Sequence, residues 1–403
     1  MLNAPESACL LIADITGYTG YLAGVELDHA QDILADLMDT VVGSMRPSFK
    51  LAKLEGDAAF AYAPTDKVDG SLLQDTVEAT YFAFRRRLRD IGHATQCECN
   101  ACILIPQLDL KLVVHAGPVV RQRMAGREEL VGREVIVVHR LLKNEIDSTL
   151  GVQAYAAYTD ACVQALGIDP RAQGMREHRE TVDIIGEVVV WVADLEAAWD
   201  REQTRRRTVV APKDAAATFV LETPAARQTV WEYLTSPSRR PQWSIGTEAV
   251  EEASATGRRG VGTTNHCIHG KDAIVEEILD WQPYEQWTTR STMPVPGLPK
   301  LVMTETLTEL PDGGTRVQVY LGRPRPRDRA AFDQLRTIVD PLFREGMARL
   351  ADLLRDEATR ATAGAAEEPP LPASAGRHLA PQAAIVRSEP QPVDSTPVHS
   401  SST

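Results

Sequence analysis

The chain has 403 residues, 43% of them hydrophobic, enough for two or three domains of about 100–200 residues with ordinary cores. Its formal net charge of −13 argues against a general nucleic-acid binder, which carries a basic surplus. No apolar stretch approaches the roughly 18 residues that cross a bilayer and no leader peptide is visible; with Cys9, Cys162 and Cys267 isolated, a cytoplasmic protein with no membrane span is expected.

Cys9–Ala13 reads as a buried strand ending at Asp14 and a Gly17 turn. Asp28 and Gln31 have capping-box spacing, and Ile33, Leu34, Leu37, Met38, Val41, Val42 and Met45 follow at helical period. Phe49–Leu54 and Ala58–Tyr62, broken by Gly56-Asp57, read as a hairpin. Leu72 to Ile91 gives a second amphipathic helix with Gly92 as its C-cap. Leu108, Leu110, Leu112 and Val114 alternate as a strand, Gly132 to Ile146 reads as a third helix, Val152–Tyr158 as a strand and Val182–Val192 as a last strand pair. The order β-α-β-β-α-β predicts a ferredoxin-like α+β sandwich.

Residues 196–214 lose apolar periodicity and predict a linker. Thr218-Phe219-Val220-Leu221 then opens a second domain, followed by a short helix ending Leu234-Thr235-Ser236-Pro237 and by Trp243. β-like runs continue from Gly262 to Leu321, and a long helix from about Arg329 to Glu357 carries Phe332, Leu335, Ile338, Val339, Leu342, Phe343, Met347 and Leu350 at helical spacing. This pattern is similar to the helix-grip fold of the START-like polyketide cyclase/dehydrase (SRPBCC) superfamily, over roughly residues 216–358. The resemblance implies an apolar cavity between sheet and long helix that takes a hydrophobic small molecule. Beyond residue 359 the Pro, Ala, Ser and Thr content predicts a disordered tail. The expected domains are therefore 1–195, a linker 196–214, 215–358 and a tail 359–403.

Two acids carry the chemistry expected of the first domain. If the Leu10–Ile12 run and the hairpin are neighbouring strands, Asp14 and Asp57 lie side by side at one sheet edge, where hard divalent cations find oxygen ligands. Ala13-Asp14-Ile15-Thr16-Gly17-Tyr18-Thr19 and Lys53-Leu54-Glu55-Gly56-Asp57 resemble the two metal-binding signatures of class III nucleotide cyclases. His115-Ala116-Gly117-Pro118, Gly132-Arg133-Glu134-Val135 and Arg140-Leu141 follow in the family's order. The resemblance, over roughly residues 5–195, implies Mg²⁺ or Mn²⁺ on Asp14 and Asp57. It also implies base-reading residues at Lys53 and Glu129, a phosphate-stabilising Arg140, a nucleoside triphosphate ligand, and a homodimer that completes each site.

The departures from the family are as informative. Ile136 stands where its asparagine orients the ribose, and Asp183-Ile184-Ile185-Gly186 lacks its triphosphate lysine. Losing one such preorganised contact costs about 3–4 kcal/mol. The expectation is a degenerate cyclase-like domain that binds metal and nucleotide, coupled to a ligand-binding domain in sensing or regulation. The alternatives are an active adenylate cyclase making cyclic AMP and pyrophosphate, and a carrier or enzyme for a hydrophobic metabolite working through the second domain. Separately, His93, Cys97, Cys99 and Cys102 offer four soft ligands for a structural Zn²⁺, or are small half-buried side chains. His266 and Cys267, adjacent on one strand, point to opposite faces and make a poor catalytic pair.

Overall fold

The computed structural model describes residues 4–25, 27–94, 100–124, 127–295 and 297–365. The N-terminal half runs β1 (Glu6–Thr16), α1 (Tyr18–Ala23), α2 (Leu27–Met45), β2 (Lys50–Glu55), β3 (Ala58–Pro64), α3 (Gly70–Ala94) and α4 (Asn100–Ile103). It continues with β4 (Asp109–Met124), β5 (Arg127–Val131), α5 (Arg133–Arg140), α6 (Ile146–Leu150), β6 (Tyr155–Thr159), α7 (Asp160–Ala165), β7 (Arg176–Val182), β8 (Gly186–Asp194) and α8 (Leu195–Thr204). The strands lie in the order β2-β3-β1-β4-β6-β8-β7, with β5 paired to β4 and only β4–β6 parallel. This is the expected α+β sandwich.

β1 is central, so both of its faces are covered. Cys9, Leu11, Ala13 and Ile15 join a core with α2 and α3, while Ala8, Leu10 and Ile12 join another beneath α5. Burying each of the large aliphatic side chains contributes about 1.5–3 kcal/mol. All seven apolar positions expected on α2 are buried. The Asp28 capping box falls on side chains outside the described residues. Gly92 is not a cap, because α3 continues to Ala94. The expected third helix divides at Asn144, whose amide donates to the Leu141 carbonyl (2.7 Å) while its oxygen accepts from the Ile146 amide (3.0 Å), a local turn that replaces helical bonds.

The C-terminal half comprises β9 (Ala215–Thr223), α9 (Arg227–Thr235), β10 (Ala249–Ala253), β11 (Thr264–His269), β12 (Asp272–Gln282), β13 (Gln286–Thr292), β14 (Leu301–Glu309), β15 (Thr315–Gly322) and α10 (Arg329–Ala365). Its antiparallel sheet, in the order β10-β11-β12-β13-β14-β15-β9, curls around α10. Phe332, Leu335, Met347 and Leu350 of that helix are buried as expected. Ile338 and Leu342, expected on the same stripe, are exposed on either side of Pro341, which cannot donate to the carbonyl four residues back. α10 reaches Ala365, past the start of the expected tail, and residues from 366 onward lie outside the description. Among the described residues no helix is long and apolar enough to cross a membrane.

The two halves are joined over α3. Arg258, between β10 and β11, donates to Glu78 (2.7 Å) and Asp75 (3.0 Å), and Trp281 donates its indole N–H to Asp75 (3.3 Å). Thr76 and Tyr284 share a 2.7 Å hydroxyl contact, and the Arg259 amide donates to Ser71 (2.9 Å). Burial pushes the Asp75 carboxyl up to about 6, against the downward pull of Arg258. The span expected as a linker carries α8, with Trp199 packed on Phe82 at 5.5 Å. Its remainder is bonded to the second sheet, the Thr208 amide donating to Asp280 (2.6 Å) and the Val210 amide to Thr304 (2.8 Å).

Candidate functional site

β1 pairs with β3 and β4 so that Asp14 lies opposite Ala58 on one side and Lys111 on the other. Asp57 sits in the β2–β3 turn beside Ala58, where Gly56 takes φ +70, and its carbonyl accepts from the Ile15 amide at 3.0 Å. The two carboxylates therefore share one edge. Burial pushes the Asp57 pKa up, the Asp14 charge adds to the rise, and Lys111 opposes it.

Lys111 is the residue the motifs did not announce. Its ammonium lies 3.1 Å from the Asp14 carboxylate and donates to the Leu142 carbonyl at 3.1 Å. That carbonyl follows the C-terminus of α5, where the helix dipole favours a cation. The pair is mostly enclosed, with 20% of the Lys111 side chain and 16% of Asp14 exposed. A lysine cation thus takes a position at which a divalent ion would need the Asp14 oxygens. A divalent ion held by Asp14 and Asp57 would have to displace Lys111 from Asp14. The expected zinc set lies outside the described residues, Cys97 and Cys99 wholly and His93 and Cys102 in their side chains.

Lys53 bonds Glu55 at 2.7 Å. That bond, more than any other effect, raises the lysine's pKa, and the Glu129 charge on β5 adds a smaller rise. Glu55 also lies 2.9 Å from His139 Nε2, out of hydrogen-bond alignment, while His139 Nδ1 meets the Val135 carbonyl at 2.6 Å and the ring stands edge-on to Phe60. Arg140 is on the exposed side of α5, and no ion pair joins it to Asp14 or Asp57 among the described residues. Ile136, one turn before it, is 56% exposed. Asp183 is exposed in the β7–β8 turn. His115, buried in β4, is bonded on both ring nitrogens, to Thr159 (2.8 Å) and Glu134 (2.7 Å). Burial lowers its pKa although Glu134 pulls the other way. The Glu134 side chain crosses so close to Gly117 that a Cβ there would stand 2.7 Å from its Cγ.

The second domain has a half-open cavity of about 150 Å³ between its sheet and α10. Val339, Leu342 and Phe343 line the helix side, and Met293, Leu301 and Met303 the apolar part of the sheet. Its other part is polar. Arg240 grips Glu276 with both terminal nitrogens, one at 3.1 Å from Glu276 Oε1, and Glu305 is left over. Glu305 Oε2, Trp287 Nε1, Arg240 Nε and Ser291 Oγ are buried without a hydrogen-bond partner. Burial pushes the Glu305 pKa up to about 7; Trp287, beside it but off alignment, and Arg240 pull down, while Glu276 pushes up. Cys267 also faces the cavity, its thiol pushed up to about 11 by burial, while His266 is exposed on the other side of β11. A nucleophilic thiol there is disfavoured.

Residues 34–150 match a family model described as a protein of unknown function (DUF2652), and residues 215–355 match the model for polyketide cyclase / dehydrase and lipid transport. Uncharacterized protein Rv2561/Rv2562 of Mycobacterium tuberculosis is 38% identical over 133 residues, 33% of this chain and 60% of that protein. The match therefore spans less than two thirds of that relative. Solved structures similar over the N-terminal half include a bacterial light-regulated adenylyl cyclase, 13% identical, covering 48% of this chain and 53% of the other at a TM-score of 0.38. The adenylyl cyclase CyaB from P. aeruginosa is 12% identical over 48% of this chain and 97% of its own, at a TM-score of 0.34. DynU16, of the dynemicin biosynthetic locus, is 23% identical over 36% of this chain and 48% of its own, at a TM-score of 0.27.

Proposed function

We propose that this protein is a ligand-responsive regulator: the C-terminal cavity takes a small apolar molecule, and the N-terminal domain keeps a cyclase-like framework without cyclase chemistry. The observation that carries the second clause is the Lys111 ammonium 3.1 Å from Asp14, which supplies the positive charge the acid edge needs without a metal. Ile136 and Asp183 stand at the ribose and triphosphate positions, and the cation on α5 nearest in kind to the missing lysine is the exposed Arg133, already paired with Glu134.

A contiguous set of side chains supports communication between the halves. Trp287 at the cavity stands edge-on to Trp281 at 5.9 Å, and Trp281 donates to Asp75 on α3. Adjacency is not coupling, which needs an element that both sites bias. Amide exchange across α3 in the full chain, with and without extracted ligand, reads that directly, and equal protection would remove the regulatory part. For the chemistry, full-length protein with ATP or GTP and Mn²⁺ is expected to give no cyclic product. Product that is lost in Asp14→Ala would establish the rival reading, an adenylate cyclase working as a homodimer. The Glu129 charge felt at Lys53 is what favours that rival.

A further inference from the structure

We propose that the C-terminal cavity selects a one-ring-sized apolar molecule bearing a hydroxyl group, which Glu305 and Trp287 hold at the cavity's polar end. The inference rests on the ligand-binding reading above and adds the chemical class of the ligand.

Glu305 and Trp287 face each other directly across the β13–β14 ladder. Glu305 Oε2 is an acceptor and Trp287 Nε1 a donor, both buried; the indole lies beside the carboxyl but off alignment, so neither atom has a well-formed hydrogen bond. An unmade hydrogen bond at a buried group costs about 1–3 kcal/mol, so two adjacent ones of opposite kind mark a place for a group that donates and accepts at once. A hydroxyl does both. A carboxylate would meet Glu305 and Glu276 together, with only the Nε–H of Arg240 free to answer it, since both terminal nitrogens of that guanidinium are engaged. An ammonium would satisfy Glu305 and leave the indole N–H unpaired.

The rest of the lining mixes Thr247, His269 and Thr289 with an apolar end, and its volume sets the size of the ligand. Ser291 lies four residues along β13 from Trp287, roughly 13 Å at about 3.3 Å per residue, and opposite it stands Leu301. Towards that end the lining becomes Met293 and Leu301, with Val339 and Phe343 from the helix. A volume of about 150 Å³ is of the order that admits a benzene-sized molecule. The elevated pKa of Glu305 agrees with a neutral ligand, since the protonated carboxyl that burial favours is uncharged and can donate to or accept from a hydroxyl.

The test is calorimetric titration of the full chain with p-cresol, p-xylene and 4-methylbenzoate, which differ only in the group opposite the methyl. The expected result is p-cresol at least tenfold tighter than p-xylene, with 4-methylbenzoate the weakest. In Glu305→Met, shown by its melting curve to be folded, the ratio of p-cresol to p-xylene affinity is expected to fall to about one. Equal binding of p-cresol and p-xylene to the parent, or an advantage that survives in Glu305→Met, would overturn the hydroxyl assignment while leaving a ligand cavity in place. A preference for 4-methylbenzoate would reassign the polar end to Arg240. Failure of all three to bind would overturn both this inference and the ligand-binding reading beneath it.

Discussion

The acid edge of the first domain and the cavity of the second are both lined with charge, yet their charges are settled differently. At the edge most acids have an answer: Asp14 has Lys111, Glu55 has Lys53, and Glu134 has His115, while Asp57 feels the Lys111 charge with no ion pair of its own among the described residues. In the cavity Arg240 answers Glu276, and Glu305, Trp287 and Ser291 keep buried atoms with no hydrogen-bond partner among the described residues. A paired site has closed its account with the fold, and a bound ion would first have to evict a side chain. An unpaired one carries a standing destabilisation that a ligand can relieve, so it is the cavity, and not the motif-rich edge, where binding has most to gain.

The largest expected effect is at Glu305. Its folded pKa of about 7 lies above the usual 4.5, so its contribution to stability is fully present below about pH 4.5 and is lost as pH rises through about 7. A shift of that size corresponds to about 3 kcal/mol at most. Glu305→Gln is therefore expected to be more stable than the parent by about 1–3 kcal/mol at pH 8 and to show little gain at pH 5, read from urea unfolding at both values. A variant less stable at pH 8 would mean that the carboxylate is better compensated than its surroundings suggest.

Lys111→Met should act in the opposite direction. It strips Asp14 of its cation beside Asp57, with an expected loss of about 1–2 kcal/mol. Added Mn²⁺ should restore part of that loss in the variant and do nothing for the parent, which thermal melts with and without the ion or EDTA would show. Stabilisation of the parent by Mn²⁺ would mean that the lysine yields to metal after all. The smallest effect is at Ile136. Because its side chain is exposed, Ile136→Asn should change stability by no more than about 0.5 kcal/mol, and with Lys111 still in place it should not bring back cyclic product.

Much of the framework could be read from pattern alone. The period of α2, the alternation along β4 and the length of α10 each commit a segment to one element, and the Asp14–Asp57 convergence followed from placing two motifs on adjacent strands. Lys111 escaped because its meaning lies in register. Only the antiparallel pairing of β1 with β4 sets it opposite Asp14, and no local spacing encodes that. α3 misled for another reason. Ser71, Asp75, Thr76 and Thr80 have the composition of a wetted face, yet each is buried, in large part against the second domain. Periodicity separates apolar from polar; it cannot say whether the polar side meets water or an arginine. Asn144 is a signal that was available, since an Asn inside a run read as helix competes for backbone bonds.

The contact between Arg258 and the carboxylates of α3 has a practical corollary. A cut at residues 196–214, where composition changes and a cloner would place it, leaves Asp75 and Glu78 on one fragment and their guanidinium on the other. It also bares the Trp281 indole to solvent. Each piece would begin life with an orphaned half of a salt link, and either one tested in isolation would report on a wound and not on a domain.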